Sequence, residues 1–325
     1  MSISYLEALR MALGDAMEAD PRVFIYGQDI AGEFGGAFKA TKGLSKRFPD
    51  RIINSPISED AMTGMALGAA LDGLRPVVEY QFADFASVAF NQLVNNIAAI
   101  YWRTGQNCPM VARLPMGGTP GGGPFHCQMP EAWLSNHPGL VVVAPSTVSD
   151  AYFMLRDAIH CDDPVIYCEH KYLYYHLTAD FDKHRAEHLA LGEAAVRRTG
   201  SDCTLISWSG MVHRCLKAAE VLARDYEVEC QVVDLRCVRP LDTETILASV
   251  AKTGRVVVVT ESWPFGGIAA EVLALITSEG FQHLDAPPKR LCAQEVPVPF
   301  HPDLYAAHTP DEMRIAEAVL DTMAF

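Results

Sequence analysis

The sequence predicts an α/β protein of two domains, and three observations carry that expectation. Short runs rich in branched residues alternate with longer helical patterns; the alternation breaks once, in a mixed-charge stretch; and 325 residues, half of them hydrophobic, are enough for two ordinary cores. Parallel strands need a crossover connection, so this alternation reads as repeated βαβ units and a parallel sheet.

The elements follow in order. Met1-Ser2-Ile3-Ser4-Tyr5-Leu6-Glu7 is a polar helix opening, without the basic start and apolar stretch of a secretory leader. Branched runs then predict strands at Val23 to Tyr26, Arg51 to Asn54, Val77 to Tyr80, Met110 to Arg113, Leu140 to Val143 and Pro164 to Tyr167. Between them, Ala61 to Leu71 is small and apolar enough for a buried helix, and Phe90 to Trp102 reads as another. Residues 177–191 mix charges with histidines and lack an apolar period, which predicts a linker between domains at 1–176 and 192–325. Beyond it the alternation restarts, with strands at Thr204 to Ser207, Gln231 to Asp234 and Val256 to Val259 and a helix over Met211 to Ala223. The second domain is therefore a smaller α/β unit.

Composition narrows the function classes. A formal net charge of -14 gives no general attraction to phosphate backbones or anionic membranes, so nucleic acid and membrane partners are not expected. Apolar stretches such as Val256 to Val259 fall far short of the roughly 20 residues that span a bilayer. The nine cysteines are scattered, include no C-x-x-C pair and leave one over, which fits a reduced, cytoplasmic setting.

Three segments hold candidate chemistry. Ser55-Pro56-Ile57-Ser58-Glu59-Asp60 follows a strand and precedes a helix, which puts Glu59 in or near a helix's first turn, where open α/β sheets present ligand-contacting groups. Taken alone, a first-turn acid is more often a solvated residue favoured by the helix dipole. Glu79-Tyr80-Gln81-Phe82-Ala83-Asp84-Phe85 sets an amide and two aromatic rings at a strand end, suited to hydrogen-bonding and stacking a flat heterocycle, although core aromatics with a strand-end cap read the same. Leu114 to Gln128 is a long Gly/Pro loop ending at His126, and loops of that length are more often functional than idle. Its glycines match neither phosphate-binding fingerprint, and the adjacent His126 and Cys127 lack the spaced partners of a zinc site. His137, His176, His184 and His188 read as structural or exposed.

Taken together, these motifs resemble the β subunits of thiamine diphosphate-dependent 2-oxo acid dehydrogenase decarboxylating components. The resemblance rests on Ser55 to Glu59, Gln81 to Phe85, His126 to Ala132, Pro138 to Ser146 and Asp163 to Tyr174, in this order. In the second domain it continues through Asp234-Leu235-Arg236, Arg239-Pro240-Leu241-Asp242 and Val296 to Pro299, so it covers nearly the whole chain.

The resemblance implies a transketolase-like pyrimidine-binding domain of parallel-sheet architecture, followed by a smaller transketolase-type C-terminal α/β domain. It implies an enzyme of α2β2 form that decarboxylates a branched-chain 2-oxo acid and passes the acyl group to a lipoylated acyltransferase, with a second β subunit as a further partner. Thiamine diphosphate would be shared with the α subunit, which holds the diphosphate and magnesium; no Gly-Asp-Gly motif for that grip occurs in this chain. Carried over by position, Glu59 would hydrogen-bond the pyrimidine ring nitrogen, Ile57, Gln81 and Phe85 would line the pyrimidine pocket, and His126 would stand near the reacting carbon. Phe85, Cys127 and Met129 depart from the family's tyrosine and serines. Some relatives bind potassium near the segment matching Ala158, Cys161 and Asp163; the ion is left unassigned here. Glu169-His170-Lys171 also resembles acetoin dehydrogenase β subunits, and pyruvate-using relatives share the frame. A non-catalytic scaffold of the same fold and a self-sufficient transketolase-like enzyme are the readings of another class.

Overall fold

Runs of branched residues become the strands of two largely parallel sheets, one in each of the units into which the chain divides. The structure is a computed structural model that describes residues 2–119 and 121–325. The first unit comprises Met1–Met116 and Trp133–Leu191, the second Gly117–Ala132 and Gly192–Phe325. The split differs from a single cut at the linker, because the 117–132 segment groups with the later residues.

The first unit contains β1 (Ser2–Ser4), β2 (Val23–Gly27), β3 (Ile52–Asn54), β4 (Arg75–Glu79), β5 (Val111–Met116), β6 (Val141–Val143), β7 (Val165–His170) and β8 (Thr178–Asp180). Six of them lie in the order β6-β7-β5-β4-β2-β3, every neighbouring pair parallel. In the register, Gly27 of β2 stands opposite both Asn54 of β3 and Glu79 of β4, so three strands end side by side at their carboxyl edge.

Its helices are α1 (Tyr5–Ala19), α2 (Leu44–Arg47), α3 (Glu59–Leu71), α4 (Ile100–Thr104), α6 (Val148–His160) and α7 (Lys171–His176); α5 (Glu131–Ser135) runs across the boundary between the units' segments. Helix α1 opens on a capping box: Ser4 accepts from the Glu7 backbone while Glu7 Oε2 accepts from the Ser4 N–H at 2.7 Å.

Two sequence expectations need correction. Phe90 to Trp102 is not one α-helix, because Gln92–Ile97 winds as a π-helix and α4 begins only at Ile100. The Ala98 N–H there reaches back to Leu93 O at 2.9 Å, and Asn96 donates to Gln92 Oε1 at 2.7 Å, so the wider turn is bonded internally. The stretch 177–191 is also more ordered than a bare connector. Thr178–Asp180 forms β8 antiparallel to β1, and Lys183 is paired with Asp15 and His188 with Asp157, both at 2.6 Å.

The second unit holds β9 (Ala195–Arg198), β10 (Cys203–Ser207), β11 (Cys230–Asp234), the short strand β12 (Cys237–Arg239), β13 (Val256–Val259) and β14 (Lys289–Leu291). Five form a sheet in the order β14-β13-β10-β11-β9, parallel except where β9 joins β11. Its helices are α8 (Met211–Tyr226), α9 (Thr243–Thr253), α10 (Ile268–Glu279), α11 (Pro302–His308) and α12 (Glu312–Met323). One core joins Leu205, Val232 and Val257 of the sheet to Val212 and Leu222 of α8 and to Ile315 and Val319 of α12.

Among the described residues, none of the nine cysteines forms a disulfide. Among the described residues, no helix is long and apolar enough to cross a membrane.

Candidate functional site

The carboxyl edge of β3, β2 and β4 gathers the first unit's polar side chains. Chain leaving β3 crosses Ser55 to Ser58 and enters α3, whose first residue is Glu59. Ser55 N–H donates to Gly27 O at 2.8 Å, which ties this crossing to the end of β2. No side chain caps α3, so its first-turn N–H groups and dipole favour the two acids there, Glu59 and Asp60. Glu59 is nevertheless buried, 7% exposed, and its Oε1 accepts a 2.9 Å hydrogen bond from Gln28 Nε2. Gln28, 3% exposed, directly follows β2.

The helix is also fixed to β4. Thr63, one turn along α3, donates to the Glu59 carbonyl at 2.6 Å and shares a very short hydrogen bond with the hydroxyl of Tyr80, the residue after β4. Burial pushes the Tyr80 hydroxyl well above the ordinary tyrosine range, so it stays neutral. Gln81 follows, partly exposed, and the chain turns through a 3-10 helix at Ala83–Ser87. That turn carries Phe85, whose ring meets Phe82 edge-to-face at 5.9 Å. Ile57 on the crossing is 83% exposed, an apolar side chain left open to solvent. Buried carboxylate, amide, aromatic ring and open apolar residue therefore arise from one sheet edge.

A buried ion cluster lies along β4, β5 and β7. Arg113 Nη1 donates to Glu79 Oε2 at 2.5 Å, and its Nε and Nη2 grip Glu169 in a fork at 2.6 and 2.7 Å. Tyr174 OH adds a 2.6 Å hydrogen bond to Glu169 Oε2. Burial pushes the Glu79 carboxyl upward, against the pull of the Arg113 guanidinium. Gly36 is held at φ +83, where an added Cβ would strike Glu79 Oε1. Gln28 and Arg113 were marked by no sequence motif, and Glu79, Glu169 and Tyr174 lay in marked segments without this role; the strand-end rule that marks Gln81 applies equally to Gln28.

His126 lies in the second unit, half-buried in the glycine-rich loop. The glycines have a packing reason. A Cβ at Gly118 would overlap the Tyr305 ring and one at Gly122 would overlap Cys127 Sγ; Gly121 N–H donates to Phe300 O at 3.2 Å. The loop's far end is anchored by Glu131, fully buried, whose Oε1 accepts from Trp208 Nε1 at 3.0 Å and Ser262 Oγ at 2.7 Å. Burial pushes the Glu131 carboxyl upward. Ile57, Glu59, Gln81 and Phe85 thus share one unit and His126 belongs to the other.

A buried acid, an amide and an aromatic ring are groups able to hydrogen-bond and stack a flat heterocycle. Among the described residues, however, no group of three or more His, Cys, Asp or Glu side chains is placed to hold a metal. The carbonyls near Ala158, Cys161 and Asp163 already face a cation: Arg75 Nη1 donates to Ile159 O at 3.1 Å and Cys161 O at 3.0 Å, and Nη2 pairs with Asp162 at 2.7 Å.

Comparison with known proteins agrees with this architecture. Residues 1–176 match the family model "Transketolase, pyrimidine binding domain", and residues 192–315 match "Transketolase, C-terminal domain". The chain is 41% identical to the 2-oxoisovalerate dehydrogenase subunit beta of Bacillus subtilis (strain 168), over 97% of each. It is 40% identical to the pyruvate dehydrogenase E1 component subunit beta of Rickettsia felis, over 98% of each. A solved split-gene transketolase, described as an inactive beta4 tetramer, shares the fold with a TM-score of 0.82 at 22% identity, covering 99% of this chain and 98% of that one.

Proposed function

Because the chain belongs to the family of 2-oxo acid dehydrogenase β subunits, built from transketolase pyrimidine-binding and C-terminal domains, we propose that it is the β half of a cytoplasmic α2β2 enzyme acting on a branched-chain 2-oxo acid. The observation that carries this is the buried Glu59 carboxylate at the uncapped start of α3, flanked by Gln28. Thiamine diphosphate, when bound, supplies a ring that takes up the electrons released as carbon dioxide leaves. Glu59 would hold a proton shared with the pyrimidine nitrogen, a role suited to an acid shielded from water. Gln81 would hydrogen-bond the ring edge, while Phe85 and Ile57 would cover its faces and exclude water. His126 would donate a proton as the acyl group passes to a lipoylated acyltransferase. The α subunit would hold the diphosphate and magnesium, since this chain carries no Gly-Asp-Gly motif.

Substitution of Glu59 by glutamine tests the reading. The variant is expected to assemble with α and lose at least about 100-fold in kcat, within the usual worth of a positioned acid-base group. Normal assembly with full activity would reject the catalytic role and favour a scaffold. A pyruvate or acetoin enzyme is the second reading, favoured by the nearly equal identity to the Rickettsia felis pyruvate dehydrogenase subunit. The branched-chain assignment predicts faster turnover of 3-methyl-2-oxobutanoate than of pyruvate or acetoin, and the reverse ranking would overturn it.

A further inference from the structure

Gln28 is a buried polar side chain with a defined partner that the proposed chemistry does not yet use. Its Nε2 donates to Glu59 Oε1 at 2.9 Å, and both side chains are buried. In this bond the amide turns its NH2 toward the carboxyl group, whose oxygen accepts. The last torsion of a free glutamate is broad, and a hydrogen bond to one oxygen restricts it. With Oε1 engaged by Gln28, Oε2 is the oxygen left for a ligand.

Residue type matters as much as position. An acid at position 28 would bring a second carboxyl within hydrogen-bond distance of Glu59, and two such groups share one proton. An amide has no proton to exchange in that way. Glu59 also has Asp60 beside it on α3 and Tyr80 at the end of β4, the latter kept neutral by burial. Gln28 thus presents a neutral donor to a carboxylate that already has an acidic neighbour.

We infer that Gln28 is a positioning residue: it fixes the Glu59 carboxylate so that one oxygen faces an aminopyrimidine cofactor, and its amide leaves Glu59 to exchange its proton with that ligand alone. This rests on the cofactor role proposed for Glu59.

The test uses the complex of this chain with its α partner, with two readouts. One is the dissociation constant of thiamine diphosphate in the presence of magnesium, measured by calorimetry. The other is the acidic limb of the kcat–pH profile. Gln28→Met keeps the length and removes the donor, and is expected to weaken cofactor binding about tenfold, as loss of one hydrogen bond to a charged group does. Gln28→Glu is expected to move the acidic limb upward by about one unit or more, because of the added like charge. Unchanged affinity in Gln28→Met, or an unmoved limb in Gln28→Glu, would overturn the proposal. Wild-type values for both variants would overturn it as well. Should Glu59→Gln itself bind cofactor and turn over like the wild type, the reading of Glu59 fails first, and the positioning role falls with it.

Discussion

Buried ionisable side chains set the sharpest expectations at the scale of single residues. Arg113 stands between two carboxylates in a dry interior, so Arg113→Met would leave Glu79 and Glu169 facing each other without a counter-charge. Breaking one side of such a cluster costs about 3–5 kcal/mol, measurable by urea unfolding of the assembled protein. Glu131 behaves in the opposite sense. Its carboxyl is held above the ordinary value of 4.5 by burial, so above that pH the unfolded chain gives up this proton before the folded chain does. The unfolded state then binds fewer protons, and stability falls as pH rises from the unfolded value toward the raised folded one. Glu131→Gln keeps an oxygen to accept from Trp208 and Ser262 and cannot ionise. Thermal unfolding between pH 5 and 8 should therefore depend less on pH in the variant; an unchanged slope would show that Glu131 is not the group responsible. The sequence singled out neither residue for these roles, because a charged residue in a strand or beside a loop does not reveal whether its partner lies nearby.

At the scale of elements, local rules located most of the fold. Branched runs marked β2, β10, β11 and β13 closely, and the small apolar stretch marked α3. The capping box of α1 is a short-range device, and Ser4→Ala should cost about 1 kcal/mol in thermal stability. The expectation failed at Gln92–Ile97, because an apolar period distinguishes helix from strand but does not separate a π-helical turn from an α-helical one. It also missed β1 and β8, which it read as part of a helix opening and of a linker: they are three residues each, too short for a period, and paired only because the two ends of the first unit meet. The glycine-rich loop was read as functional from its length, whereas the structure gives its glycines a packing reason: Gly118→Ala would drive a Cβ into the Tyr305 ring. Overpacking of that sort costs about 1–3 kcal/mol, and thermal unfolding of the variant checks it.

For the whole molecule, the absence of a Gly-Asp-Gly motif makes a claim about assembly. The chain alone, with magnesium, should bind thiamine diphosphate weakly, and the mixture with an α subunit should bind it tightly; tight stoichiometric binding by the chain alone would indicate self-sufficiency instead. The sequence by itself determined the α/β class, the order of most strands and helices, the first-turn place of Glu59 and the family, because these depend on steric preferences and spacings within a few residues. Only the tertiary structure decided which side chains are partners. Gln28 meets Glu59 across 31 positions, Arg113 meets Glu169 across 56 and Glu131 meets Trp208 across 77. Such pairs exist only after parallel strands have returned through their crossover helices and aligned their ends. Strand order and register bring them together, and both are set by the packing of the whole sheet rather than by any local run of residues.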